Sequence, residues 1–189
     1  GRTEEIVGRW LKGKNRDAII LATKVSGPSH VWFKSPKRGG MTALDRRNIT
    51  VAVEDSLRRL QTDYIDLYQS HTDDAETPQQ ETLEAYAQLI KQGKVRAIGA
   101  SNFKGERLKQ ALQISAQHGY PSYQCLQPHY NLCERADYES DLEPVCADNK
   151  LAVIPYWSLA AGFLTGKYRS EADLTKSTRG GGLKKYLNE

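Results

Sequence analysis

The chain has 189 residues, 39% hydrophobic and 26% charged, with a formal net charge of +4. These proportions fit one globular domain over residues 1–189 with a real core. They leave no apolar run near the roughly 20 residues of a membrane span, no basic-then-apolar leader, and no basic run interleaved with aromatics of the kind that binds nucleic acid. The mild positive balance suits a phosphate-bearing ligand or an ordinary solvated surface. The three cysteines, Cys125, Cys133 and Cys146, are odd in number and lack C-x-x-C spacing. That argues against a disulfide scaffold or a zinc ribbon and points to a reducing, cytoplasmic setting. No pattern in the sequence fixes an oligomeric state.

In chain order, Glu4 to Lys12 reads as the tail of a helix already under way at Gly1, so the natural N-terminus is expected upstream. The run from Ala18 to Thr23 reads as a first strand. Further apolar runs follow at Tyr64–Tyr68, Val95–Gly99, Tyr123–Leu126 and Leu151–Pro155. Strands this short and apolar suit a parallel sheet covered by helices. Between them, Ile49, Val53, Leu57 and Leu60 share one helical face. Thr77, Pro78 and Gln80 predict an N-cap, a first-turn proline and a capping-box glutamine, and Gly93 closes that helix. Its core residues are predicted to be Leu83, Ala87 and Ile90. Leu108, Ala111, Leu112 and Ser115 face inward in the next helix, which ends at Gly119.

From the second strand on, the runs begin about 30 residues apart, close to the roughly 31 residues per unit of an eight-unit barrel. Doubly wound sheets use similar units, so spacing alone does not choose. No G-x-G-x-x-G follows a strand, and no G-x-x-x-x-G-K-[ST] occurs. The expected class is α/β, a (β/α)8 TIM barrel with about five strands and their helices in this chain. A complete barrel needs about three more units, or roughly 90 residues.

Barrel chemistry sits at the C-terminal ends of the strands. Here those ends carry Thr23-Lys24, Gln69-Ser70-His71, Ala100-Ser101-Asn102, Gln127 and Tyr156-Trp157-Ser158. Singly, each has a plain structural explanation: a solvated lysine, a structural histidine, a cap or a turn. Jointly they place a cation, an imidazole, amides and an aromatic around one cavity. His71, Asp73 and Asp74 could together suggest a metal-dependent hydrolase. No second ligand cluster stands at a neighbouring strand end, so no metal is expected. The segment from Ser26 to Leu44, with Trp32 and Phe33, could wall a substrate pocket or pack onto the barrel.

The local motifs resemble the aldo-keto reductase family. Ala22-Thr23-Lys24-Val25 is similar to its lysine strand, and residues 63–71 (DYIDLYQSH) to its histidine strand. Residues 93–103 (GKVRAIGASNF) are close to a family signature. Residues 127–132 (QPHYNL) and 155–168 (PYWSLAAGFLTGKY) complete the set in order. The resemblance implies an NADP(H)-dependent oxidoreductase that reduces aldehyde or ketone carbonyls to alcohols. Lys24 and His71 match two of four catalytic side chains; the tyrosine and aspartate of that set are expected just upstream of Gly1. A lysine beside the phenol favours phenolate and eases proton exchange, and the histidine directs a hydrogen bond at the carbonyl oxygen.

By the same resemblance, Ser101, Asn102 and Gln127 hold the nicotinamide carboxamide and Tyr156 stacks on its ring. Trp157, Ser158, Leu159, Gly162 and Lys167 approach the pyrophosphate. The family commonly has tyrosine-serine-proline-leucine where this chain has Tyr156-Trp157-Ser158-Leu159, so an indole stands near the pyrophosphate. The segment that grips the adenosine 2′-phosphate is expected beyond this chain. A second implied reading is a cofactor-binding regulatory subunit like the β subunits of potassium channels. Alone, the 189 residues are expected to be insoluble or inactive, because an open barrel exposes sheet edges.

Overall fold

A computed structural model describes residues 1–26, 43–178 and 180–187 of the chain; Trp32 and Phe33 lie outside the described residues. The architecture is α/β. Among the described residues, five parallel strands form one open sheet in sequence order: β1 (Ala22–Val25), β2 (Ile65–Ser70), β3 (Val95–Ser101), β4 (Tyr123–Gln127) and β5 (Ala152–Val153). Helix α1 (Arg2–Leu11) precedes β1. The crossovers are α2 (Arg46–Leu60), α3 (Gln79–Lys91), α4 (Gly105–His118) and α5 (Glu143–Asp148). Sequential parallel order with a helix in each crossover is the winding of a (β/α) barrel wall.

The register explains how the sheet's faces differ. Val25, Ser70, Ala100 and Leu126 form one paired row, and all are fully buried beneath the helices. One residue earlier, Lys24, Gln69, Gly99 and Cys125 form a second row. Side chains alternate along a strand, so this row faces away from the helices, toward the barrel interior. On the helix side, Ser70 Oγ lies 2.7 Å from the Tyr86 hydroxyl and 3.2 Å from that of Tyr123. Tyr86 packs edge-on against Tyr68 and Tyr123. The hydroxyls of Tyr86 and Tyr123 thereby find a partner within the core.

Helices α2 and α4 match the pattern read from the sequence. Ile49, Val53, Leu57 and Leu60 are buried in α2, and Leu108, Ala111, Leu112 and Ser115 in α4, which Gly119 ends at φ 67°. Helix α3 differs in two respects. Thr77 does not cap it, because the Thr77 hydroxyl donates instead to Asp74 Oδ2 at 2.6 Å and the helix starts after Pro78 without a side-chain cap. Its buried stripe runs through Leu83, Ala85, Tyr86 and Leu89, leaving Ala87 and Ile90 only half-buried. The hydrogen bond between Tyr86 and Ser70 centres the stripe on the tyrosine.

The strands differ from expectation at the two edges. β1 begins at Ala22, and Ala18 ends a short 3₁₀ turn (Arg16–Ala18), leaving Ile20 85% exposed. Side chains take the backbone groups that would have paired. Arg16 donates to the Ile19 carbonyl at 2.6 Å, and the Asp66 carboxylate accepts the Leu21 N–H at 2.9 Å. β5 is reduced to two residues. Pro155 has no N–H to donate, although Ile154 and Tyr156 still donate to Leu126 and Pro128 across the gap.

Helix α1 crosses α2 at Gly8. A Cβ there would lie 2.8 Å from the Leu60 carbonyl carbon and closer still to the Arg59 oxygen. Glu4, one turn earlier, accepts from Thr23 and Arg59, each at 2.6 Å, tying α1 to β1 and α2. Gly8→Ala gains about 1 kcal/mol of helix propensity. It must also displace backbone, and overpacking of this kind costs about 1–3 kcal/mol. We expect net destabilisation of the full-length protein in urea unfolding; an unchanged or higher midpoint would show that the helices separate freely.

Candidate active site

Lys24 lies in β1, in the inward row, beside Gln69 of β2. It is half-buried, and burial pulls its ammonium below the ordinary lysine range, with Cys125 acting weakly the other way. Gln69 Nε2 sits 3.9 Å from Cys125 Sγ, and a Cβ on Gly99 would come within 2.7 Å of that sulfur. The missing side chain at Gly99 is therefore what admits the thiol beneath Lys24.

His71 follows β2 directly. Its backbone is clamped on both sides: the N–H donates to Val25 at 3.0 Å and the carbonyl accepts Asn102 Nδ2 at 2.9 Å. Partial burial and the nearby Lys24 charge hold the imidazole below the usual histidine range. The ring therefore stays neutral near pH 7 and can offer an N–H to an oxygen without carrying charge.

At the ends of β3 and β4 the amides interlock. Ser101 Oγ donates to the Gln127 carbonyl at 2.8 Å and accepts from Asn102 Nδ2 at 3.1 Å. Asn102 has a left-handed backbone, φ 54°, a conformation asparagine tolerates better than most residues. Both Nδ2 protons are committed, whereas among the described residues Oδ1 takes only the Tyr156 hydroxyl, at 2.8 Å, which leaves it a lone pair for another donor. Among the described residues, no hydrogen bond engages the Gln127 side-chain amide. One free acceptor site and one free carboxamide thus stand at adjacent strand ends.

The loop after β5 shapes an open cleft of about 570 Å³, lined by Trp157, Ser158, Leu159, Gly162, Lys167 and Thr178 among others. All five loop residues read from the sequence line it; Tyr168, Ser177 and Thr178 join them without having been anticipated. Gly162 takes φ 106°, open to glycine alone, and the end of the Lys167 side chain lies against its backbone. A cation beside bare backbone in an open cleft suits a phosphate-bearing group. Trp157 is 54% exposed and also left-handed, φ 55°. Its carbonyl accepts from Asn131 Nδ2 at 3.1 Å and from the Ala160 N–H at 2.7 Å, which anchors that unusual backbone.

The acidic residues after His71 are committed elsewhere. Arg107 grips both oxygens of Asp73 at 2.7 and 3.0 Å. Asp74 is buried; burial alone would raise its pKa, but hydrogen bonds from Thr77, Leu44 and Glu76 outweigh that and hold the carboxyl below its usual range. Among the described residues, no three His, Cys, Asp or Glu are grouped as metal ligands. No helix among the described residues is long and apolar enough to cross a membrane.

Cys125 and His129 are site neighbours that the sequence reading passed over. Cys125 could have been found from strand parity, since it lies two residues before Gln127. His129 stands inside the quoted QPHYNL stretch, but only the tertiary contact with Tyr156 distinguishes it.

An inward lysine and a histidine on adjacent strands, with amides on the next two and a glycine-lysine cleft beyond, gather at one rim of the parallel sheet. The profile described as the Aldo/keto reductase family matches residues 1–186, and the chain belongs to that family. It is 43% identical to "Aldo-keto reductase YhdN" of Bacillus subtilis over 90% of this chain and 48% of that protein. It is 38% identical to "Protein tas" of Escherichia coli, over 91% and 54% of the two chains. To "L-glyceraldehyde 3-phosphate reductase" of E. coli it is 32% identical, over 89% and 47%. The chain spans about half the length of the curated relatives it matches.

Proposed function

We propose that this chain forms part of an NADP(H)-dependent oxidoreductase that reduces aldehyde or ketone carbonyls to alcohols. The observation that carries the reading is the convergence of Lys24, His71, Ser101, Asn102, Gln127 and Tyr156 on adjoining strand ends, continuous with the cleft at Gly162 and Lys167. The donor set fits a nicotinamide dinucleotide. Asn102 Oδ1 and the Gln127 amide would hold the carboxamide beside Ser101, and Tyr156 would offer its ring face. The loop from Trp157 to Lys167 would meet the pyrophosphate. When bound, the reduced nicotinamide supplies hydride.

This chain's own residues then prepare the carbonyl. Neutral His71 donates a hydrogen bond to the substrate oxygen, where negative charge develops. Lys24 keeps a cation in a partly desolvated site, where it lowers the pKa of an adjacent phenol. That phenol is the tyrosine the family places ahead of the lysine strand, and it returns a proton to the oxygen. The free thiols fit a reducing, cytoplasmic setting. NADP(H) rather than NAD(H) rests on family habit, supported by the chain's basic balance.

The test is to mix the full-length protein with NADPH and an aromatic aldehyde. Reduced-nicotinamide absorbance is expected to fall with stoichiometric alcohol. Bound cofactor without turnover on any aldehyde or ketone would refute the reductase reading.

A further inference from the structure

We propose that His129 is a positioning residue that backs the Tyr156 ring and fixes the surface on which the nicotinamide stacks; the inference rests on the cofactor reading above. The ladder between β4 and β5 brings the two residues together. Although both strands have ended, Tyr156 N–H donates to Pro128 at 3.0 Å and a parallel bridge pairs His129 with Tyr156. Their rings lie nearly parallel, 15° apart, with centroids 5.3 Å from each other.

The stack is held from several sides. Trp157 meets the His129 ring edge-on, at 90° and 5.5 Å, and stands edge-on to Tyr156 at 6.1 Å. Asn131 locks the corner. Its Oδ1 accepts the Cys133 and Glu134 N–H groups at 2.9 and 3.0 Å, and its Nδ2 donates to the Trp157 carbonyl. The same Nδ2 stands 3.5 Å from His129 Nε2, at the limit of a hydrogen bond. His129 thus acts mainly through its ring face.

Tyr156 is consequently constrained at its hydroxyl by Asn102, on one face by His129 and at its edge by Trp157. A planar guest can stack only on the other face. Without His129 the phenol ring would have to be ordered by the guest itself, and ordering a side chain on binding weakens affinity. The Trp157 indole, for its part, buttresses the histidine, which gives a physical role to a bulky residue at that loop position.

The test uses the full-length protein and follows quenching of tryptophan fluorescence on titration with NADPH, and separately with adenosine 2′,5′-bisphosphate, which lacks the nicotinamide. His129→Ala is expected to weaken NADPH binding about five- to tenfold, the scale of one lost aromatic pair, and to leave the bisphosphate within twofold. His129→Phe, which keeps the ring, is expected to bind NADPH within twofold of the parent. If the alanine variant does not fold, His129→Gln is read in its place. Three results would overturn the proposal: unchanged NADPH affinity, equal weakening of both ligands, or tighter binding, which would mean that His129 occupies the guest's own face. A parent protein that binds neither ligand would overturn the cofactor reading together with this inference.

Discussion

Replacing Lys24 with methionine in the full-length protein is expected to lower kcat for aldehyde reduction by roughly 10²–10⁴-fold, the span of a general acid–base contribution. Methionine preserves much of the stem's length and its packing beside Gln69, so the loss isolates the charge. Lys24 is half-buried, and burial already pulls its pKa down. In such a place a cation acts on its neighbours through less water than at the surface, so its field on an adjacent phenol is strong. In the proposed mechanism, losing that field would leave the phenol a poorer proton donor and acceptor near neutral pH. His71 should respond in the opposite sense: Lys24 is one of the two causes of its depressed pKa, so the methionine variant should raise the imidazole pKa. NMR titration of His71 therefore gives a readout independent of turnover. NADPH affinity should change little, because the residues proposed to hold the carboxamide and pyrophosphate lie on other strands. A variant retaining more than a tenth of the parent rate would remove Lys24 from the chemistry.

Asp66→Ala is expected to cost about 2 kcal/mol of stability, within the range for hydrogen bonds to a charged group, and to leave kcat unaltered. The carboxylate lies at the opposite end of β2 from His71, the end of a barrel that serves stability. It accepts from Arg16 Nη2 at 2.7 Å, Arg96 Nη1 at 2.8 Å and the Leu21 N–H at 2.9 Å. The Arg16 and Asp66 side chains are only 18% and 11% exposed, while Arg96 is largely solvated. Most of the cost therefore comes from Arg16 and the Leu21 amide. Arg16 would keep its bonds to Ile19, Tyr64 and Thr62, which moderates the loss.

The pH dependence has a definite sign. Burial would raise the Asp66 pKa, but its hydrogen bonds and the two arginines outweigh that and hold it below the usual carboxylate range. A depressed folded-state pKa gives stability that is fully present above the unfolded value near 4. It is lost as pH falls through the folded value. Glu4 and Asp74 are depressed as well and act in the same window. Urea unfolding at neutral and acid pH should show the parent losing stability on acidification and Asp66→Ala losing less. Parallel curves for the two proteins would show that Asp66 contributes no pH-linked stability.

While the order of the strands in the sheet came from the structure, the sequence by itself determined an α/β alternation, the approximate places of the five strands along the chain and the buried faces of α2 and α4. Each rests on short-range regularities: apolar runs of strand length, 3.6-residue spacing in α2 and α4, and Gly119 as a left-handed stop. Resemblance added the names of the site residues, because strand ends carry the chemistry in this architecture and local motifs mark them. Where short-range reading failed, a side chain distant in sequence had taken the backbone's or the helix's role. Arg16 took the Ile19 carbonyl and Asp66 the Leu21 N–H, so that β1 begins only at Ala22, and Asp74 drew Thr77 away from its cap. Ser70 turned the buried stripe of α3 toward Tyr86.

Only the tertiary structure decided which groups at the rim were free. It committed Asp73 to Arg107 and both Nδ2 protons of Asn102 to His71 and Ser101, while among the described residues Asn102 Oδ1 takes the Tyr156 hydroxyl alone. It placed His129 behind Tyr156. Hydrogen-bond capacity is set by every neighbour a group meets in space, so no local pattern could have divided occupied donors from available ones.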